Sequence, residues 1–386
     1  MVDFDKVINR RNTMCAKWDT VSEDILPMWV ADMDFESPKE VIEALRERVD
    51  HGVYGYLDSI DSYYEAVKNW MEKRHNYNVD KSWIVSTPSV VATINIAIRA
   101  FTKEGDKILI ETPVYHPFFH AVKNNNRTLV ESSLIFNEEK YVMDFQDLEN
   151  KFKHGVKLMI LCSPHNPVGR VWTKEELINL RDLCLKYKVL VISDEIHSDL
   201  TFKDNPHTVF ASLGNGIEDI SITCIAPSKT FNIAGIQASN VIIHNKALRD
   251  KFVSELDSVG FHSINIFAVA ALTAAYNSSE YWLDELLVYI KDNYLYVKEY
   301  LEKHIPKVKV MPYESTYLLW LDFRELNLSQ EELVKLLEEK AKIFLNDGTM
   351  FGKDGKGFMR MNIGCPRELL NEGLKRLKRG VDSLEI

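Results

Sequence analysis

The feature that most constrains this chain is an alternation between about residues 81 and 245, where short apolar runs are separated by longer segments of helical period. Parallel strands need a long crossover between them, usually a helix, so this rhythm predicts βαβ units on a mostly parallel sheet. Six runs read as its strands: 83–86, 107–111, 157–162, 189–193, 221–225 and 240–243, each β-branched or Leu-rich and compact enough to be buried on both faces. The clearest helix covers 174–187, with Thr173 as its N-cap, Glu176 as the capping-box partner and Leu177, Leu180 and Leu183 on one face. Beyond Asn245 come long helical stretches at 265–276 and 280–304, then short strands near 307–311 and 316–321. The tail, with helices near 330–340 and 366–384 around strands at 343 and 357–362, reads as a smaller α+β domain. The expected division is an N-terminal segment (1–48) joining the small domain, a large domain (49–285) and a C-terminal small domain (286–386). No repeat or flexible linker separates them, so they are expected to pack closely and share a cleft.

A chain of 386 residues has room for two or three such units. With 46% hydrophobic and 27% charged residues, disordered, collagen-like and coiled-coil readings are excluded. The 57 acidic against 47 basic residues leave a net charge of −10, so no nucleic-acid partner is expected. Cys15, Cys162, Cys184, Cys224 and Cys365 are an odd number without a CxxC pair, which predicts neither a disulfide framework nor a zinc site. Residues 1–17 lack the apolar core of a signal peptide, and no run of about 18 apolar residues follows, so the expectation is a cytoplasmic protein with no membrane partner.

Three segments of the expected sheet end in polar residues. They are Asn166 within Ser163-Pro164-His165-Asn166-Pro167-Val168-Gly169, Asp194 within Ser193-Asp194-Glu195-Ile196-His197, and Lys229 within Ala226-Pro227-Ser228-Lys229-Thr230. Ligands of open α/β sheets bind at the carboxyl ends of strands, so the three are expected to belong together. A carboxylate and a lysine after buried strands could equally form a structural ion pair, and either segment alone leaves that balance even. Their ordered combination favours function.

Over essentially its whole length the sequence resembles the fold type I pyridoxal-phosphate enzymes, the aspartate aminotransferase superfamily. The resemblance rests on Asn166-Pro167-Val168-Gly169, then Asp194 with His197, then Ser228-Lys229, then Arg360 within Phe358-Met359-Arg360-Met361-Asn362-Ile363-Gly364. Within that superfamily, Phe4-Asp5, Asn9-Arg10-Arg11, Lys17-Trp18-Asp19, residues 28–35, Tyr54-Gly55-Tyr56 and Asp194-Glu195-Ile196-His197 are similar to the subgroup of cystathionine β-lyases and C-S lyases.

The resemblance implies an α/β, aspartate aminotransferase-like fold of PLP-dependent transferases, with a mostly parallel central sheet in the large domain and a smaller α+β domain. It implies pyridoxal 5′-phosphate as cofactor, with Lys229 forming a Schiff base to its aldehyde and later moving the substrate's α-proton. Asp194 then faces the pyridine nitrogen and favours the protonated ring that acts as electron sink. Asn166 supplies a donor to the ring oxygen and borders the substrate. His197 lies behind it or on the ring-oxygen side, the bland alternative being a histidine that only packs against the strand end. Tyr115 covers the ring face and counts among the catalytic residues. The phosphate meets Ser89, Val90 and Val91 at a helix N-terminus, together with Ser228; Ser89 taken alone is simply an N-cap.

Relatives often carry an arginine eight residues after the lysine, where Gln237 stands here, so the phosphate lacks that charge partner. Tyr56 from a neighbouring subunit, with Tyr54 as its rival, is the expected compensating donor, in a homodimer with shared active sites. Arg360 has the planar fork that suits a substrate α-carboxylate, and Ala31 presents its backbone to the same group. Without the resemblance Arg360 reads as a surface arginine at a strand end. His116, His120 and His165 lack metal-ligand spacing; no metal is expected. The implied substrate is a small amino acid, L-cystathionine or a related cysteine S-conjugate, cleaved to pyruvate, ammonia and a thiol. An aminotransferase using the same Lys229, Asp194 and Arg360 is the alternative. The subgroup motifs, and the absence of an evident second arginine for a dicarboxylate side chain, favour the lyase. A regulatory contact with another protein, in addition to catalysis, is a third reading.

Overall fold

The computed structural model describes residues 2–58 and 60–384. Within them lies a seven-stranded sheet formed by β1 (Ile84–Thr87), β2 (Lys107–Thr112), β3 (Thr128–Ser133), β4 (Val156–Cys162), β5 (Leu190–Asp194), β6 (Ser221–Ile225) and β7 (Ser239–Ile242). The spatial order is β1-β7-β6-β5-β4-β2-β3, parallel from β6 to β3, with β7 antiparallel to both neighbours. The central strands are sealed on both sides, which is why they read as continuous apolar runs. Ile108, Ile110, Leu158 and Ile160 pack with helices Val90–Phe101 and Lys246–Ser258, while Leu109, Met159 and Leu161 pack with Leu177 and Leu180 of helix Lys174–Tyr187. That last helix opens on the expected capping box of Thr173 and Glu176.

The six expected strands are present, and β3 is an addition. It pairs with β2 alone at the sheet edge, and Thr128, Glu131, Ser132 and Ser133 give it a polar composition that two-sided burial would not allow. A four-stranded antiparallel sheet contains Lys309–Val310, Leu318–Asp322, Phe358–Asn362 and Asn346–Asp347, in that spatial order. The expected boundary between 285 and 286 falls inside one continuous helix, Glu280–His304. Near the N-terminus, Leu26–Pro27 pairs in parallel with Ile343–Phe344, whereas helix Lys39–His51 packs on helix Ile266–Ser278. The N-terminal segment therefore touches both layers and passes over the carboxyl edge of the main sheet. No helix among the described residues is long and apolar enough to cross a membrane.

Candidate active site

The carboxyl ends of β2, β4, β5 and β6 lead to Tyr115, Asn166, Asp194 and Lys229, and all four line one pocket. Parallel strands bring these ends to a single edge, where the loops part and leave a crevice. Ala31, His197, Ser228, Ser89, Val90 and Val91 complete the set of expected residues in its wall.

Lys229 sits in the short helical turn Pro227–Thr230, with Pro227 at its first position. Its Nζ donates to the carbonyl oxygen of Ala31 at 2.6 Å, and the Tyr317 hydroxyl donates to the same oxygen at 2.9 Å. Burial draws the amine down to about 8; Arg360 acts in the same direction, while Asp32 and Asp194 oppose it. Since the Ala31 carbonyl is engaged and cannot donate, a carboxylate could meet Ala31 only through its N–H.

Asp194 is buried at the end of β5, where its Oδ1 accepts the Ile196 N–H at 3.2 Å. Cys162 on β4 and Cys224 on β6 are its register neighbours, so thiols flank the carboxyl. Burial pushes Asp194 up to about 7; the Ile196 N–H and Lys229 pull it back, and Glu195 adds to the rise. A cation brought against this carboxyl would restore its charge. His197 is buried with no partner for Nδ1 among the described residues. Burial, Lys229 and Arg360 hold it down to about 3, so the ring is neutral at pH 7.

Arg360 projects from strand Phe358–Asn362 and is itself buried. It donates to Asn166 Oδ1 at 3.0 Å, the Trp29 carbonyl oxygen at 3.0 Å and Asn346 Oδ1 at 2.5 Å, with its guanidinium 4.9 Å from the Phe351 ring centroid. Burial lowers it to about 10, leaving it cationic at neutral pH. A buried guanidinium bonded to neutral oxygens is a ready receptor for a carboxylate.

Ser89 does cap helix Val90–Phe101, its Oγ accepting the Ala92 N–H at 3.2 Å, and it lines the pocket as well. Gln237 faces the same wall from a left-handed backbone position, φ 57°. Burial raises the Tyr115 phenol, which stays protonated at neutral pH. Tyr56 is the expected residue that its own chain does not bring in: its side chain is fully exposed, outside the pocket. Tyr54 lies against Phe267 and donates to the Val49 carbonyl oxygen at 2.9 Å.

Tyr317 and Asn346 carry no local motif and become neighbours of the site only through pairing with other segments, whereas Cys162 stands four residues before Asn166 and its Sγ accepts the Asn166 N–H at 3.4 Å. The motifs at 9–11, 17–19 and 28–35 turn out to form one clamp. Asp34 accepts from Arg10 at 2.7 Å, Lys17 at 2.6 Å and Trp18 Nε1 at 2.8 Å. Asn362 donates to the carbonyl oxygens of Val30 and Asp32, at 2.5 and 2.6 Å. Asn232, three residues past the lysine, bonds to the backbone of Met33 and Phe35. The clamp fixes the strip that holds Ala31 against Lys229 and Trp29 against Arg360.

The sequence model for aminotransferase class I and II matches residues 23–377, a span that includes every pocket residue named above. The chain belongs to that family. Cystathionine β-lyase PatB of Bacillus subtilis (strain 168) is 46% identical over 383 residues, covering 98% of this chain and 99% of PatB. Cystalysin from Treponema denticola, whose crystal structure contains a pyridoxal 5′-phosphate cofactor, aligns with TM-score 0.97 and 39% identity over 100% of both chains. A PLP-bound putative aminotransferase from Clostridium difficile 630 aligns with TM-score 0.97 and 43% identity, over 99% of this chain and 100% of the other. The class I and II aminotransferase fold accounts for the mostly parallel sheet and for a site gathered at its carboxyl edge.

Proposed function

We propose that the protein is a pyridoxal-phosphate-dependent carbon–sulfur β-lyase acting on L-cystathionine and related cysteine S-conjugates, with pyruvate, ammonia and a thiol (homocysteine from cystathionine) as products. The observation that carries the reading is the convergence of Lys229, Asp194, Asn166 and Arg360 around one pocket, in a chain 46% identical to a cystathionine β-lyase over 98% of its length.

The donor set fits the cofactor. A partly desolvated amine suits its aldehyde. The buried Asp194 carboxyl, with Ile196 N–H as its one protein donor among the described residues, suits a protonated ring nitrogen. A wall of helix-terminal backbone and serine hydroxyls suits its phosphate. When bound, pyridoxal phosphate supplies an electron sink for the bonds at the substrate's Cα.

Lys229 holds the cofactor and serves as the base at Cα; a value near 8 leaves an appreciable free-amine fraction at neutral pH. Asp194 keeps the proton on the ring nitrogen, and Asn166 and His197 attend the ring-oxygen side. Tyr115 covers the ring face. Ser89, Val90, Val91 and Ser228 hold the phosphate, and Gln237 offers an amide where relatives often have a cation. Arg360 takes the α-carboxylate in place of its neutral oxygens. On this reading the site lies in the cleft between the large domain, 49–285, and the small domain, 286–386 together with the N-terminal segment 1–48. We further read the protein as a cytoplasmic homodimer in which Tyr56 serves the partner's phosphate.

A second reading, an aminotransferase, is favoured by the family itself and by the C. difficile structure described as a putative aminotransferase. The two separate in one assay of the holoprotein, incubated with L-cystathionine and, separately, with an amino acid and 2-oxoglutarate. Pyruvate with free thiol in the first arm supports the lyase. A new amino acid in the second, with no thiol in the first, overturns it.

A further inference from the structure

Two buried carboxylates that the chemistry above does not use adjoin its central residues. Asp199 Oδ2 accepts from the hydroxyl of Thr230, the residue after Lys229, at 2.7 Å. Its Oδ1 accepts from Trp70 Nε1 at 3.0 Å and His75 Nε2 at 2.7 Å. Glu195, the residue after Asp194, accepts from Ser193 Oγ at 2.8 Å and the Phe210 N–H at 3.0 Å through Oε1, and faces His207 Nε2 at 2.8 Å through Oε2. The two imidazoles meet edge to face, with centroids 5.7 Å apart and planes at 88°.

Burial alone would raise the Asp199 carboxyl, but His75, Thr230 and Trp70 outweigh it and hold it below the usual carboxylate range. The other charged or titratable groups facing the network include Arg74 and Tyr276 on the Asp199 side, and Tyr77, Cys224 and Asp194 on the Glu195 side. Lys229 sits in a turn of four residues, too short to fix its own direction, so the Thr230 anchor bears directly on where the amine points.

We propose that Asp199 and Glu195 are positioning residues for Lys229 and Asp194, coupled into one unit by the contact of His75 with His207. The inference rests on the roles given to Lys229 and Asp194 under the proposed function. It deepens that reading by naming what aims the amine.

The test uses the holoprotein. Thr230→Val keeps the side-chain shape and removes the hydroxyl, while Thr230→Ser keeps the hydroxyl. The readouts are the pH midpoint of the absorbance change of the lysine-bound cofactor, and kcat and KM for L-cystathionine. The expected result is a midpoint displaced by about half a pH unit or more in Thr230→Val, with kcat lowered more than KM changes, and a parental midpoint in Thr230→Ser. A parental midpoint in the valine variant, or a serine variant displaced as far as the valine one, overturns the Asp199 role. For the coupling, the midpoint shifts of His75→Gln and His207→Gln should fail to add in the double variant, and simple additivity overturns the single unit. Borohydride reduction and peptide mapping of the parent separate this inference from the one beneath it. A label on a lysine other than Lys229 removes the site assignment. A label on Lys229 with an unmoved midpoint removes only the positioning role.

Discussion

At the scale of single residues, the site works by placing ionisable groups where water would not leave them. Lys229 is drawn down and Asp194 pushed up, each chiefly by burial, so both approach neutral pH from opposite sides. Lys229→Ala removes the proposed cofactor anchor and base while leaving core packing alone. Turnover is expected to fall by about 10³-fold or more, with a melting temperature close to the parent's; retained turnover would reassign the base. Asp194→Asn keeps the shape and gives up the charge proposed to favour a protonated ring nitrogen. It is expected to retain some cofactor and lose most activity, about 10²-fold or more, and near-normal turnover would mean the electron sink needs no charged partner. Arg360→Lys replaces a fork by a point charge, so KM for an amino-acid substrate should rise by about tenfold with a smaller effect on kcat. An unchanged KM would move the α-carboxylate elsewhere.

At the scale of elements, the same strand ends that carry the site carry a cost. Glu111, near the end of β2, is buried with neither carboxyl oxygen partnered among the described residues; burial, with a contribution from Glu176, pushes it up to about 8. A carboxyl whose folded value lies above its ordinary one binds its proton more tightly in the folded chain. The stability it contributes is present below pH 4.5, its ordinary value, and is lost as pH rises through about 8. Glu111→Gln keeps a neutral polar group and removes this loss. Thermal melts should therefore show the variant gaining on the parent between pH 6 and pH 9, by on the order of 2 kcal/mol. Parallel pH profiles would show that Glu111 finds a partner in solution.

Strands of this kind are also where the sequence was most legible. β4, β5 and β6 announce themselves because burial on two faces fills them mostly with apolar residues, and Asn166, Asp194 and Lys229 stand out at or just past the ends of those runs. β3 escaped because an edge strand meets no such demand. Arg360 and Asn166, 194 positions apart, are hydrogen-bonded through the meeting of two sheets, a relation that no local pattern encodes. Tyr317 and Asn346 were invisible for the same reason, each having an unremarkable neighbourhood and a partner far along the chain. The N-terminal motifs were legible as motifs, yet their work as a clamp on Ala31 emerges only when Asn232 and Asn362 close on them.

At the scale of the whole molecule, one protomer gathers the expected cofactor-binding residues around its pocket, with Arg360 bonded to Asn166 of its wall, and leaves out Tyr56, whose side chain is fully exposed. In the proposed C2 dimer the same segment would serve both sites, and the exposed tyrosine of one protomer would be a phosphate donor for the other. With Gln237 in the wall, that hydroxyl would bear more of the phosphate's charge than it would beside an arginine. Tyr56→Phe should weaken cofactor retention on dialysis by on the order of 1 kcal/mol or more, the scale of a hydrogen bond to a charged group. Tyr115→Phe should not, because a ring face survives loss of its hydroxyl. The deciding experiment mixes Lys229→Ala with Tyr56→Phe subunits. In the heterodimer, the site on the Tyr56→Phe subunit has its own Lys229 and receives Tyr56 from its partner, so it contains both native residues. Activity should return in the mixture to a level above either parent variant and in proportion to the heterodimer formed. No recovery, with heterodimers verified by mass, would leave Tyr56 outside the site altogether and each protomer holding the phosphate with its own helix terminus and hydroxyls.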